Sequence, residues 1–195
     1  MISTQPRPSR IRTSDTQMAG SLAGTLASPL ATIIRELGTV VSATSSEQFV
    51  QRCGEQFFNA NIGGHVRHCL DHVRALTDGH ETGDVDYDHR ERGTDIESNV
   101  ESARLEIARL ALCIEQLAGI ESAEAIRVTV KPTRDGEPVT VESTLGRELS
   151  FVLSHTIHHN AIVRSMAFAI GIQVPQTFGY APSTLAHMDA HECAR

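Results

Sequence analysis

Two short segments hold six of the ten histidines of this 195-residue chain, and in both the histidines recur at helical spacing. The segments, "GGHVRHCLDHVRAL" (63–76) and "SHTIHHNAIVRSMAFAIG" (154–171), are roughly 90 residues apart in the sequence. Residues three, four and seven apart share one face of an α-helix. Each segment therefore predicts a helix with imidazoles along one side. The histidines are His65, His68, His72, His155, His158 and His159.

Composition indicates a single globular domain with a helical core. Hydrophobic residues make up 40% and charged residues 21% of the chain, and no apolar run approaches the ~20 residues that a membrane span needs. The beginning, "MISTQPRPSRIRTSDTQ", lacks the apolar stretch of a secretory signal. We expect a disordered tail over residues 1–20, with an organelle transit peptide as the weaker alternative, and one domain over residues 21–190.

Charge and cysteine content bound the partners and the compartment. The formal net charge is -7, which argues against a nucleic-acid partner because no basic stripe is available to displace counterions. No partner membrane is expected either. The four cysteines are scattered without a CxxC spacing, so we expect a reducing, cytoplasmic setting rather than a disulfide framework.

Apolar periodicity predicts four long helices, and a short helix is expected to begin near Ser45 or Ser46. In the second long helix, Asn61 or a following glycine forms the start and Gly79 the end. In the third, Asp95 is the expected cap and Gly119 the stop. The long helices are expected over 26–43, over 61–79, over 95–118 and from Ser143 or Thr144 to about Gly171. The predicted buried face of the third comprises Val100, Ala103, Leu105, Ile107, Leu110, Leu112 and Leu117.

The period changes between the third and fourth long helices. "AIRVTVKP" and "PVTVEST" alternate β-branched and other residues, and the "TRDGE" that joins them contains the Asp-Gly typical of a hairpin turn. The polar stretch "HETGDVDYDHRERGTD" is expected to be a loop. It is either solvated or covers the mouth of a site formed by the histidines. One short turn is expected after Pro182. The predicted fold class is all-α: a four-helix bundle with a small inserted β-hairpin.

The histidine spacing predicts a metal site between two helices. His155 and His159 are four residues apart, so both imidazoles lean the same way and can chelate one ion. One histidine of the second helix would add a third nitrogen and leave a position open for water or substrate, as in catalytic zinc sites. Glu148, two turns before His155, is a candidate for orienting an imidazole or a bound water. A hydrogen-bonded histidine cluster without metal is the alternative.

Two motifs in this order resemble the DinB/YfiT-like superfamily of metal-binding four-helix bundles. "RHCLDH" is similar to the second-helix pattern of a histidine followed by an acid three residues later, which places a ligand at His68 and the acid at Asp71. "HTIHH" is similar to the HxxxH of the last helix, which places ligands at His155 and His159. "STLGRELSFVLSHTIHHNAI" resembles an uncharacterised bacterial branch, and the resemblance spans about residues 26–170.

The chain departs from the superfamily pattern in two ways. Many members continue after the last histidine with Arg-Gly-Gln, where this chain has Asn-Ala-Ile at 160–162. The additional histidines, His65, His72 and His158, are alternative ligands. Cys69 is a further candidate partner for a metal or a redox step, but its direction, about 100° from His68 around the helix, favours core packing.

The resemblance implies a divalent metal such as zinc, nickel or iron, a small-molecule substrate and, in many members, a homodimer. It implies a metal-dependent enzyme, either a transferase that uses a low-molecular-weight thiol or a hydrolase. Asp71 and Glu148 are the candidate general bases or orienting acids. The alternative is a non-catalytic protein that binds metal or takes part in a stress response.

Overall fold

The structure, a computed structural model, describes residues 22–89 and 91–192. The predicted tail over residues 1–20 lies outside these residues. The described chain is mostly helical with a small three-stranded sheet. This confirms the prediction of a mainly helical fold. The helices are α1 (Leu22–Ser42), α2 (Ser46–Val50), α3 (Ile62–Thr82), α4 (Val100–Leu117), α5 (Leu145–Ala169) and α6 (Pro182–Glu192). The strands are β1 (Asp84–Asp86), β2 (Ala125–Val130) and β3 (Val139–Thr144), and 3₁₀ turns occupy Glu55–Phe57 and Asp95–Glu97.

The four long helices α1, α3, α4 and α5 pack around a common core. The principal contacts of α1 are with α4 and α5, and α3 contacts the same two helices. The core between them is aliphatic: Leu30, Ile34 and Leu70, for example, are fully buried, and each such side chain stabilises the fold by about 1.5–3 kcal/mol. Because α3 packs directly against α5, the two histidine segments face each other.

Helix α3 starts where the sequence predicted but ends later. The Asn61 side chain accepts a hydrogen bond from the Gly64 amide at 2.7 Å, as expected of a cap. The predicted end at Gly79 is wrong, because the helix runs on to Thr82 and ends at Gly83, which has a φ of 76°. Gly79 serves close packing instead: a Cβ there would lie 2.5 Å from the Asp84 carbonyl oxygen.

The polar stretch after α3 is more ordered than a loop. It contains β1, which pairs in parallel with β2, and Val85 of this strand is buried. The predicted hairpin is present as the antiparallel pair of β2 and β3. The sheet therefore has three strands in the order β1-β2-β3 rather than the two expected. The strand is only three residues long and is held by pairing with a distant partner, so the charge density of the stretch predicted a loop instead.

Other helix boundaries differ from the predicted ones. Helix α1 begins at Leu22, earlier than the predicted 26. Asp95 starts a 3₁₀ turn, and Asn99 caps α4. Leu105 and Leu112 are 64% and 58% exposed, so their assignment to the buried face of α4 is wrong. Both lie seven residues apart on the side of α4 that faces away from the core.

The remaining helices complete the scaffold. The short α2 is capped by Ser45, one of the two predicted positions, and Gln48 completes a capping box with it. Helix α5 is capped by Thr144 and closely matches its predicted range. The segment after Pro182 forms the helix α6 instead of the single turn expected. Of the helices in the described ranges, none combines the length and apolarity required to cross a membrane.

Candidate metal centre

Helices α3 and α5 bring three imidazoles together inside the bundle. Ring nitrogens of His68, His72 and His155 all lie within 4.8 Å of one another. His72 is buried, while His68 and His155 are half-buried. His68 and His155 belong to the ligand set predicted from the sequence, and His72 was one of the alternatives. The two predicted helices therefore supply the cluster, with two nitrogens from α3 and one from α5.

The backbone of α3 fixes the tautomer of His72. Its Nδ1 lies 3.0 Å from the carbonyl oxygen of His68. Because a carbonyl can only accept, Nδ1 carries the proton, and the lone pair of the ring is on Nε2. Metal-binding histidines commonly donate their second ring N–H to a carbonyl or carboxylate in this way.

His159 lies one layer away, next to both His68 and His155. Its ring centroid is 4.6 Å from that of His68 and 4.4 Å from that of His155. Its Nδ1 is 3.2 Å from Nδ1 of His65, so one ring donates this hydrogen bond to the other. Nε2 of His159 is left for a different contact. His159 as the third ligand therefore stays a prediction, and His72 is the competing choice.

Burial favours the neutral form of His159 and His65. It lowers the pKa of His159 to about 3, and the neighbouring imidazoles of His155, His68, His65 and His158 add to the effect. Burial also lowers the pKa of His65, with a smaller contribution from His158. Neutral imidazole is the form that binds metal. At neutral pH the rings of His65 and His159 therefore carry no positive charge.

The donor set fits a divalent transition metal. Zinc binds histidine nitrogen at about 2.0–2.1 Å, which places tetrahedral ligand nitrogens about 3.4 Å apart. The 4.8 Å that encloses the three nitrogens is larger, so the rings must move inward to bind an ion together. Three imidazoles are typical ligands of zinc, nickel, copper and iron, and a hard cation such as Mg²⁺ would favour oxygen.

An aromatic wall closes one side of the cluster. Tyr87, which follows β1, stacks on His72 with ring centroids 5.4 Å apart and planes 15° apart. Phe151 of α5 packs edge-on against Tyr87 at 5.1 Å and lies 5.8 Å from His155. The Arg147 guanidinium lies over the Phe151 ring at 5.3 Å. This wall excludes water from His72, and Tyr87 brings the predicted loop to the site.

Sequence reasoning missed Tyr87 as a site residue. The alternation in "DVDYD" was the available signal, because it places Val85 and Tyr87 on one face of an extended segment, and both are buried. The stretch was predicted to be a loop because of its charge density. The contact with His72 depends on the pairing of β1 with β2, which the local sequence does not specify.

Glu148 reaches the cluster through Tyr87. Its side chain is fully buried in the first turn of α5, where a carboxylate is favoured by the helix dipole. It accepts hydrogen bonds from the Tyr87 hydroxyl at 2.8 Å, from the Ser143 hydroxyl at 2.5 Å and from Arg147 at 2.6 Å. Burial, together with this carboxylate, raises the pKa of Tyr87. These contacts favour a positioning role for Glu148 over that of a general base.

Asp71 lies on a different face of α3 from the histidines. It forms ion pairs with Arg67 at 2.7 Å and with Arg74 at 3.2 Å. The two arginines also pair with Glu97 at 2.6 Å and Glu106 at 2.7 Å respectively. Asp71, the acid that the superfamily resemblance implies, is thus part of an ion-pair network. This network connects α3 with α4 and the turn before it. These contacts favour a structural role for Asp71.

Two further candidates take positions away from the cluster. His158 is exposed on α5 and contacts His159 with ring centroids 5.2 Å apart. Cys69 is buried, as core packing predicted. Burial raises the pKa of its thiol to about 12, so at neutral pH it is not a thiolate that could bind a metal.

Comparison with known proteins gives a partial match. FK506-binding protein 5 of Rhizopus delemar is 31% identical over 106 residues, which are 53% of this chain but 27% of that protein. This chain thus spans about a quarter of its relative's length. No family model matches the chain, and no solved structure matches it. The partial likeness to the Rhizopus protein is what these comparisons establish.

Proposed function

We propose that this protein binds one divalent transition-metal ion through His68, His72 and His155, and that it is a metal-dependent enzyme of the DinB/YfiT-like type. The observation that carries the proposal is the convergence of three ring nitrogens within 4.8 Å between α3 and α5. The packing of four long helices, with the histidines on two that are in contact, supports the same assignment.

The chain's own residues prepare the site for an ion. The carbonyl of His68 sets the tautomer of His72, which is buried under Tyr87. His68 and His155 are half-buried, so they are less shielded from solvent than His72. An ion held there would supply Lewis acidity and would lower the pKa of a bound water or thiol.

The resemblance in the sequence extends the proposal to a reaction class. A transferase that uses a low-molecular-weight thiol is the first choice, since three protein nitrogens leave a position open for a thiolate. The experiment that tests the proposal measures metal content and turnover together. Purified protein is stripped with a chelator, titrated with Zn²⁺ or Co²⁺, and assayed with an electrophile and glutathione, mycothiol or bacillithiol.

The expected result is one ion per chain and turnover that chelation abolishes. His187 and His191 on α6 are exposed, with ring centroids 4.2 Å apart, so their double alanine variant serves as the background to exclude surface binding. In that background His155→Ala should lose the ion, and the exposed His158→Ala is the matched control that should keep it. Unchanged metal content in His155→Ala would refute the site. Metal binding without turnover would support the non-catalytic alternative.

A further inference from the structure

An apolar pocket of about 380 Å³ lies beside the candidate metal centre, between the 3₁₀ turn after α2 and the middle of α5. Two imidazoles form part of its lining, and one of them, His65, also contacts His159 at 3.2 Å. The pocket is therefore one imidazole removed from the rings of His68 and His155. Its hydrophobic lining consists of Phe57, Phe58, Ala161 and Ile162.

The pocket has an unusual charge composition for this protein. Its polar lining consists of His65, His158, Gln56 and Ser165, and none of its described lining residues is Asp, Glu, Lys or Arg. A larger cavity of about 680 Å³ on another face of α3 is lined by five carboxylates. A charged ligand would find no countercharge in the apolar pocket and would lose its hydration there. The lining therefore favours an uncharged, mainly apolar occupant.

Phe58 is held at the pocket in a strained conformation. Phe58 is 95% exposed, and its φ of 52° lies in the left-handed region, as does the φ of 54° at Asn59. Within the described ranges these are the non-glycine residues with positive φ. Such strain is rare for a bulky residue and is found preferentially at functional sites.

The loop itself maintains this conformation. The Cys53 amide donates to the Ala60 carbonyl at 3.0 Å, and the Asn59 amide donates to the Gly54 carbonyl at 3.0 Å. Because the exposed Phe58 ring gains almost nothing from burial, folding stability does not account for an aromatic residue at this position. A ligand that covers the ring does account for it.

We propose that this pocket binds an uncharged small molecule built around an aromatic or similar apolar group, and that the ring of Phe58 packs against it. The pocket volume lies within the range of small-molecule sites, about 300–1,000 Å³. His65 and His158 offer hydrogen bonds to one polar substituent. Assigning this molecule as the substrate of the metal centre rests on the proposed function, whereas the pocket itself does not.

The test uses the full chain, stripped of metal, and N-phenyl-1-naphthylamine, an uncharged probe that fluoresces in apolar surroundings. Phe58→Gly and Asn59→Gly both relieve left-handed strain, but the first alone removes the ring. We expect Phe58→Gly to weaken probe binding at least about fivefold without lowering the midpoint of urea unfolding, since the ring is exposed. Asn59→Gly should bind the probe as tightly as the natural chain.

Two more variants separate this pocket from other apolar surfaces. Ala161→Glu should weaken binding at least about tenfold, because it places a charge in the pocket. Leu105→Ser removes an exposed apolar side chain on α4 and should have no effect. Three results would overturn the proposal: unchanged binding in both Phe58→Gly and Ala161→Glu, tighter binding of the anionic 8-anilino-1-naphthalenesulfonate than of the neutral probe, or a Phe58-dependent dimer in sedimentation that accounts for the covered ring.

A separate measurement tests the link to the metal. Zn²⁺ loading should change the probe's affinity at least about twofold, since two ligands that bind to coupled sites affect each other reciprocally. An unchanged affinity in protein shown to bind Zn²⁺ would overturn the assignment of the pocket to the metal centre. In His155→Ala without metal, probe binding should equal that of the natural chain, so failure of the metal proposal and failure of the pocket proposal give different results.

Discussion

Helix α3 has two polar faces, and their side chains differ in the kind of partner they contact. On one face, Asp71 is paired with Arg67 and Arg74, and the arginines pair in turn with carboxylates of neighbouring elements. On the other face, His68 and His72 meet the histidines of α5, and ring nitrogens converge there. The first face pairs its arginines with carboxylates, whereas the second brings together ring nitrogens of the kind that ligate a transition metal.

This difference separates the polar residues of α3 that stabilise the fold from those that are suited to bind a ligand. In an ion-pair network the arginines and carboxylates neutralise one another. Removing one of them leaves its partner less well paired, which should reduce stability. A cluster of converging imidazole nitrogens is suited to bind a metal ion, so its loss should reduce metal affinity. The following predictions test this division.

The largest expected effect is the loss of metal from the histidine face. Replacing a ligand should cost more than the roughly 10–100-fold typical of residues that only orient a ligand. We expect His72→Ala to raise the metal dissociation constant more than about 100-fold, because Nε2 of His72 is prepared by the His68 carbonyl. His159→Ala should have a smaller effect. Zn²⁺ competition titration of both variants measures this, and the reverse order would favour the ligand set of His68, His155 and His159.

The second effect concerns the ion-paired face. Asp71→Asn should lower the free energy of unfolding by about 2 kcal/mol, because Arg67 and Arg74 lose one partner each but retain Glu97 and Glu106. Metal affinity should be unchanged. Glu101→Gln, at an exposed pair with Arg104, is the control and should cost less than about 1 kcal/mol. Urea unfolding measures both, and a loss of metal in Asp71→Asn would contradict the division between the faces.

The third effect is a difference between the histidine cluster and the ion-pair network in how their contributions to folding stability depend on pH. The depressed pKa of His159, about 3, lies below the unperturbed value of about 6.5. Below that value the unfolded chain binds a proton that the folded chain refuses, so stability falls as the pH decreases from about 6.5 towards 3. Arg109 and Arg74 lower the pKa of Glu106, whose contribution is instead lost as the pH falls below its ordinary value of 4.5.

Chelator-treated protein should therefore lose stability between about pH 6.5 and 5 through its histidines, by at most about 1.4 kcal/mol per pH unit for each proton. Urea unfolding at several pH values gives the slope. His159→Asn removes this titrating group and should flatten the slope in the same window. A slope that survives in His159→Asn at full size would assign the effect to other groups.

The smallest expected effect separates positioning from ligation. Tyr87→Phe keeps the ring on His72 but removes the hydrogen bond to Glu148. We expect metal affinity to fall by up to about 10-fold, because the aromatic wall is then less firmly held. Ser143→Ala also removes one hydrogen bond to Glu148 but leaves Tyr87 in place, so it should keep metal affinity. Equal losses in both variants would show that Glu148 acts by another route.

Local sequence determined the elements and the two histidine segments. Helical periodicity placed the long helices, Asn61 marked the start of α3, and the alternating runs predicted β2 and β3. Cys69 was assigned to the core from its direction on the helix alone. These features depend on neighbours within a few residues, which the sequence shows directly.

Tertiary structure decided which residues meet. The spacing of His65, His68 and His72 gives the same stripe for any rotation of α3, so only its packing against α5 selects the imidazoles that converge. The contact of Tyr87 with His72 depends on β1, a strand of three residues held by pairing with a partner more than 40 positions away. Gly79 looked like a helix end but lies inside α3, because the backbone of β1 approaches it closely. Such contacts depend on long-range geometry, which no local pattern in the sequence encodes.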